Sequence, residues 1–328
     1  MILIFSEENE FSTCDIIDWL EYYNNQVIRI NGDHKEAIKV NFTMYNDTQH
    51  KIILEYNGNR IDLDKVTSFW YRRGGHLRFY QGQRLSNLFT SKLLIKEIAK
   101  DLMLETRTLS TYIHKYLSSR CFSIGSIENS LPNKLEMLKI ADNTGLTIPK
   151  TLITTSKKRL EEFIAKEGEV ITKAIGDALH FLGEDEFYCV YTELVTDLDI
   201  IPETFFPSLF QQKLEKKYEL RTFYLHGEMY SMAIFSQNNT KTEIDFRKYD
   251  EEVPNRNVPY KLPNDIEDKI DAFMKAMNLN TGSIDLIFTE NNQYVFLEVN
   301  PVGQFGMVST PCNYYLERTV AKKLIHHE

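Results

Sequence analysis

The stretch I-D-L-I-F-T-E-N-N-Q-Y-V-F-L-E-V-N-P at 284–301 decides how this chain is read. Two apolar runs rich in β-branched and aromatic residues flank Asn291-Asn292, a pair suited to a two-residue hairpin turn. Centring the hairpin there sets Glu290 opposite Gln293 and Asp285 opposite Glu298. Asn300 lies two residues past Glu298 and shares its face. Two carboxylates directly opposite each other repel, so the pair wants a cation. Oxygen ligands without His or Cys suit magnesium, which keeps waters and bridges to substrate phosphates. The plain alternative is a solvated hairpin with alternating polar residues. It is disfavoured by Leu286, Phe288, Phe296 and Leu297, which read as buried.

Upstream of the hairpin the pattern is mixed. Strands are expected at 170–175, 188–194, 209–214, 220–225 and 229–236, the last two joined at His226-Gly227. Helices are expected at 134–143, closed by Gly145, and at 157–166, 265–277 and 315–325. Residues 237–262 are polar and show no clear period. The chain start differs. Ile2–Phe5 and Val27–Ile30 read as strands around a helix with Ile16, Trp19, Leu20 and Tyr23 at helical spacing. Such a β-α-β start favours a parallel pair. Asn57-Gly58 is a strong hairpin signal that pairs Glu55 with Arg60. A strand at 67–73 ends in F-W-Y-R-R-G-G, 69–75, and a helical stretch covers 85–117 with Leu93, Leu94, Ile98 and Leu102 on repeating faces. That stretch reads as a core helix, with a homodimer face as the second reading. The fold class is therefore α/β plus α+β, with a new unit starting near Pro132.

A length of 328 residues points to two or three domains. The net charge of −9 and the lack of a long basic tract disfavour generic nucleic-acid binding, though not local cationic pockets. Cys14, Cys121, Cys189 and Cys312 are scattered without zinc spacing. The start M-I-L-I-F-S-E-E is too short and wrongly charged for a signal peptide, and no apolar run reaches membrane-spanning length. A soluble protein of a reducing cytoplasm is the expectation. His326 and His327 read as a cloning remnant or a frayed helix end.

The common nucleotide signatures, Gly-x-x-x-x-Gly-Lys and Gly-x-Gly-x-x-Gly, are absent. What remains is an order of charges. Lys134 opens a helix, and Lys173 sits inside the apolar strand V-I-T-K-A-I, where a lysine is costly unless it snorkels or meets an anion. Arg221 follows Glu219 on one strand face, and Arg247 follows Asp245 at the same spacing; local ion pairs are the bland reading of both.

Lysine, lysine, strand linker, Glu-x-Arg, then Asp and Glu-x-Asn on a hairpin: over residues 130–325 this order resembles the ATP-grasp superfamily. N-K-L-E-M-L-K-I-A-D-N-T-G-L-T-I-P-K-T at 133–151 and F-L-E-V-N-P-V-G-Q at 296–304 resemble its peptide-modifying branch. F-W-Y-R-R-G at 69–74 with E-L-R at 219–221 resembles the graspetide synthetases, the microviridin-type maturases, and the tail at 303–317 resembles their grasp-with-spasm members. The resemblance implies an ATP-grasp fold with a pre-ATP-grasp domain at 1–130, a central subdomain at 131–210 and a C-terminal subdomain at 211–328. It implies that Lys134 and Lys173 hold ATP phosphates and that Gln211, Gln212, Lys213 and Leu214 form the adenine linker. The linker departs from the common Gln-Glu-aromatic version at Gln212 and Lys213. Arg221, and by its spacing Arg247, would face the transferred phosphate, and Asp285, Glu298 and Asn300 would hold Mg2+. Trp70, Arg72 and Arg73, with Glu219 and Asp245, would stand on the substrate side; for Trp70 core packing is the competing role. The loop 176–186 would be a lid or an ordinary turn. The implied activity is ATP-dependent joining of Asp/Glu carboxylates of a precursor peptide, with leader and core segments, to Thr/Ser hydroxyls or Lys amines. An ATP-grasp ligase adding a free amino acid to a protein or small molecule, and a non-catalytic ATP-binding module, are the competing readings.

Overall fold

Ile2, Leu3, Ile4 and Phe5 are all buried, so both faces of this first strand must be covered. Only an interior strand of a parallel sheet meets that demand here. In the computed structural model, β1 (Ile2–Ser6) lies between β2 (Val27–Asn31) and the later strand Ser68–Tyr71. The structure describes all residues except 35–36, 46–49, 80–86, 177–179, 183–186, 190–191, 237–254 and 328; for 180–182 and 187–189 it describes the backbone alone. The chain forms two compact units, Met1–Leu131 with Tyr315–Glu328, and Pro132–Tyr314.

In the first unit, α1 (Phe11–Tyr22) crosses between β1 and β2 as the β-α-β pattern requires. A hairpin sheet follows, β3 (Lys39–Met44), β4 (His50–Tyr56) and β5 (Asn59–Asp62), with Glu55 opposite Arg60 across Asn57-Gly58. β3 went unanticipated; its alternating, mostly exposed residues carry a weak apolar signal. β6 (Ser68–Tyr71), α2 (Lys92–Arg120) and β7 (Phe122–Ile124) complete a four-stranded parallel sheet of order β2-β1-β6-β7. The core-helix reading of α2 needs correction. Leu93 is 71% exposed, Leu94 and Leu102 are also exposed, and the helix is buried only from Ser110 to Leu117. The C-terminal helix, Leu316–His326, belongs to this unit and packs on α1. His327 is not frayed: its ring stacks on Phe122, and its Nε2 lies 2.7 Å from Ser68 Oγ. Both tryptophans, Trp19 and Trp70, lie in this unit.

His114, on the buried end of α2, sits among the rings of Phe5, Phe69 and Tyr71, and neither ring nitrogen has a hydrogen-bond partner among the described residues. Burial, helped by the neighbouring His76, pushes its pKa down to about 3. The unfolded chain therefore takes up a proton near pH 6.5 that the folded chain refuses. Stability falls as pH drops below about 6.5, by up to about 1.4 kcal/mol per pH unit. A His114→Leu variant is expected to flatten the urea-midpoint profile between pH 6.5 and 5; an unchanged slope would remove His114 as its cause.

In the second unit, α3 (Lys134–Asn143) is capped by Asn133, whose Oδ1 accepts from the backbone of Leu135 and Glu136. β8 (Thr151–Ser156), α4 (Lys157–Glu167), β9 (Val170–Lys173), β10 (His180–Leu182), β11 (Phe187–Cys189), β12 (Glu193–Leu194) and β13 (Thr204–Gln212) follow. They give an antiparallel sheet β12-β9-β13-β8 and the separate pair β10-β11. The strand expected at 188–194 is thus two pieces in different sheets. β14 (Lys216–Leu225), β15 (Glu228–Phe235), β16 (Arg256–Tyr260), α5 (Asn264–Ala276), β17 (Thr281–Thr289), β18 (Tyr294–Asn300) and α6 (Gly306–Cys312) finish the unit. The five-stranded antiparallel sheet has the order β16-β15-β14-β17-β18. β16 lies inside the stretch that showed no period. One face of the sheet carries Leu220, Ile284, Leu286, Phe296 and Val299 against Met137 of α3 and Ile270 and Phe273 of α5.

Candidate active site

The opposite face of that sheet carries the charges. Residues alternate sides along a strand, so burying Leu220, Ile284 and Leu286 sends Glu219, Arg221 and Asp285 the other way. Arg221 pairs in register with Asp285, and Asp285 with Glu298, giving one row across β14, β17 and β18. Ser283 pairs with Asn300 in the next row on that face. The hairpin turn is not the expected two-residue one. Asn292 N–H donates to Thr289 O, Thr289 N–H donates to Gln293 O, and Asn292 adopts φ +60°, so three residues, 290–292, form the loop. Phe288 consequently faces Tyr294, one residue short of the expected pairing. A bulge at Leu297 absorbs the difference and restores Asp285 opposite Glu298. It also lets Phe296 and Val299, three residues apart, share the core face.

Arg221 Nη1 donates to both carboxylate oxygens of Asp285, at 3.1 and 3.2 Å. Its Nε is buried with no partner among the described residues. Glu219 is held by Lys216 Nζ and by Ser236 Oγ, at 3.1 Å for the latter. Glu219 and Arg221 therefore go to different partners, where a local pair was the bland expectation. Lys134 Nζ lies 3.6 Å from Glu298 Oε2 and donates to the carbonyls of Gly176 at 3.1 Å and Ala174 at 3.4 Å. Lys134, Arg221, Asp285 and Glu298 thus form two ion pairs around one patch. The Arg221 and Asp285 side chains are only 8% and 18% exposed, so solvent screens that pair weakly. Asn300 Oδ1 accepts from Val302 N–H, which fixes the amide at the end of β18.

Lys173 closes β9 opposite Leu209 and is half-buried. Gln211 is buried and its Nε2 donates to Thr151 Oγ1 at 2.9 Å. Gln212 Nε2 reaches Glu167 O, and Lys213 Nζ pairs with Glu169 at 2.9 Å and Glu215 at 3.6 Å. Leu214 lies in the connection between β13 and β14. Asp245, Arg247 and most of the 176–186 loop lie outside the described residues.

Trp70, Arg72 and Arg73 belong to the first unit. Trp70 is buried in β6, as its competing core role requires. Arg72 is 3% exposed and donates from Nε and Nη2 to Glu10 Oε1, at 3.2 and 3.0 Å, and from Nη2 to Ser12 Oγ. Glu10, the N-cap of α1, also accepts from Thr13 N–H and the hydroxyls of Ser12 and Thr13. Burial alone would raise the Glu10 pKa, but Arg72 and these donors hold it down at about 2. Glu10 was missed in the sequence; its one signal is the E-x-S-T cap pattern opening α1. Arg73 Nε is buried without a partner among the described residues. Next to Arg73 the backbone packs too closely for a side chain at Gly74: a Cβ there would run into Ser6 O, and one on the facing Gly32 into the Gly74 carbonyl.

Among the described residues, no group of three or more His, Cys, Asp and Glu could hold a metal. Asp285, Glu298 and Asn300, two carboxylates and an amide, could hold only a cation that takes its remaining oxygens from water and phosphate, as magnesium does.

The sequence family described as "MvdD pre-ATP grasp domain" matches residues 1–109. No curated protein sequence matches significantly. Among solved structures, a Chryseobacterium gregarium RiPP-associated ATP-grasp ligase, in complex with ADP and a leader and core peptide, superposes with TM-score 0.83 at 25% identity. The match covers 100% of this chain and 97% of that one. The chain has the ATP-grasp fold. Macrocyclase MdnC of Microcystis aeruginosa MRC, bound with precursor peptide MdnA, shares the fold with TM-score 0.74 at 24% identity over 99% of both chains. The ATP-grasp ligase PsnB, complexed with minimal precursor, Mg and ADP, does so with TM-score 0.73 at 16% identity, over 99% of this chain and 96% of that one. The residues that match the pre-ATP-grasp model lie in the first unit, and the second unit carries the charged face described above. No helix among the described residues is long and apolar enough to cross a membrane.

Proposed function

We propose that the protein is a cytoplasmic peptide maturase that uses ATP and Mg2+ to close rings in a ribosomal precursor peptide with leader and core segments. The observation that carries this reading is the row Arg221, Asp285, Glu298 across one sheet, with Lys134 reaching Glu298 from the start of α3. Lys134 and Lys173 would bind the ATP phosphates, the main chain of 211–214 the adenine, and Asp285, Glu298 and Asn300 the magnesium. Magnesium, when bound, supplies charge that the phosphate oxygens need during transfer.

A side-chain carboxylate is a poor electrophile. Its oxygen attacks the γ-phosphorus of ATP, the bond to ADP breaks, and an acyl phosphate results. A Thr or Ser hydroxyl or a Lys amine of the same peptide then attacks the acyl carbon, loses its proton, and phosphate leaves, giving an ester or amide. Arg221 neutralises the charge developing on the transferred group; Arg247 and Asp245 would act beside it. Trp70 would support, and Arg73 and Glu219 would orient, the peptide side, with Arg72 fixing the turn that presents Arg73. Division into subdomains at about residues 130 and 210 follows from the same reading. The exposed apolar half of α2 is consistent with a homodimer.

Intact-mass spectrometry tests the proposal. With precursor, ATP and magnesium, products are expected to be lighter by one water per bond formed, because both reacting groups are on one peptide. Products heavier by an amino-acid residue would favour the free amino-acid ligase. In the same assay Arg221→Ala is expected to lower kcat about a hundredfold while raising the KM for ATP only a few-fold. An unchanged kcat would make Arg221 a structural partner of Asp285.

A further inference from the structure

We propose that Lys134 and Arg221 stand in for the metal before nucleotide arrives, so that the site accepts ATP and magnesium together and resists either alone. The inference rests on the ATP-site reading above. Each of the two carboxylates assigned to magnesium is already paired with a cation assigned to phosphate: Asp285 with Arg221 at 3.1 Å, Glu298 with Lys134 at 3.6 Å. Arg221, Asp285 and Glu298 lie in one row of one sheet, Lys134 reaches Glu298 from the start of α3, and the guanidinium reaches both oxygens of Asp285 through a single nitrogen, Nη1. Lys134 is further anchored by the carbonyls of Ala174 and Gly176.

The consequence is an exchange of partners. ATP arriving without metal can engage Arg221 only by drawing it from Asp285, which leaves a carboxylate beside the phosphates. A metal arriving alone must displace Arg221 and Lys134 and leave two cations crowded. When both arrive, the metal takes the carboxylates and the phosphates take the cations, and neither carboxylate is left facing the phosphates without a cation between. Coupling of this kind is reciprocal: each ligand tightens the other by the same factor. Arg221 should therefore contribute to ATP binding only when Asp285 has released it.

A double-mutant cycle on nucleotide binding reads this directly, without turnover. ATP affinity of the full chain is measured calorimetrically in chelator and in magnesium, for wild type, Asp285→Asn, Arg221→Gln and the double variant. In chelator, Arg221→Gln is expected to weaken ATP binding less than about twofold in the wild-type background and about tenfold beside Asp285→Asn. Asp285→Asn alone should tighten metal-free ATP binding. An equal loss from Arg221→Gln in both backgrounds would overturn the exchange and leave simple repulsion by Asp285. The Lys134→Gln and Glu298→Gln cycle gives the same test on the second pair, should one variant of the first fail to fold. Absence of saturable ATP binding to wild type even in magnesium would instead overturn the nucleotide-site reading itself.

Discussion

Asp285→Asn is expected to leave the fold intact and to slow ADP formation at least about a thousandfold. The substitution keeps the side-chain shape and one oxygen but removes an anionic ligand. Phosphoryl transfer is mostly positioning and electrostatics, so weakening the cation's hold costs several kcal/mol of barrier, at roughly 1.36 kcal/mol per factor of ten. The fold should survive because Asp285 is on the face away from the core, while Ile284 and Leu286 on either side keep their places in it. Glu298→Gln should behave alike. ADP release with precursor peptide, alongside circular dichroism, decides the matter; near-normal turnover in magnesium would mean that the row does not hold the metal.

Arg72→Ala should cost stability rather than only activity. Removing the guanidinium leaves Glu10 buried with a carboxyl that the folded protein holds ionised down to about pH 2. Breaking a buried pair by deleting one partner costs about 3–5 kcal/mol, because the remaining charge stays desolvated. The loss should be largest above about pH 4.5, where Glu10 is ionised in both folded and unfolded chains, and should shrink as the pH falls further. Thermal unfolding of the variant at pH 7 and pH 3 measures this. A variant that melts like wild type yet loses peptide affinity would make Arg72 a direct substrate contact.

What the sequence reveals and what it hides follow from how local each cause is. Asp285 and Glu298 could be set side by side from sequence because alternation and hairpin pairing are short-range rules, whereas the pairing of Arg221 with Asp285 joins residues 64 apart and could not. The register of the hairpin nonetheless came right through two compensating departures. The loop is one residue longer than Asn291-Asn292 suggests, and the bulge at Leu297 takes up the slack. Neither carries a glycine to announce it. The Arg72–Glu10 pair spans 62 residues and obeys no periodicity, so R-R-G-G read as a strand end with both arginines on the substrate side. β16 follows a long polar segment and is short, and α2 shows apolar repeats that the fold leaves in solvent. In each case tertiary packing, not the local pattern, decides the outcome.

The placement of Trp19 and Trp70 has an optical consequence. Both indoles belong to the first unit, and the other unit holds tyrosines, among them Tyr218, Tyr260 and Tyr294, but no tryptophan. Emission excited at the red edge of the aromatic band therefore comes from one unit alone. Trp70 is buried with the Arg72 guanidinium 5.9 Å from its ring, whereas Trp19 is only half-buried, under Arg318. A quencher in solution should reach Trp19 first and Trp70 only when that unit opens. Melting of the sheet that bears Asp285 and Glu298 would pass unseen in tryptophan emission and show in circular dichroism, so the two signals would separate the units without a label.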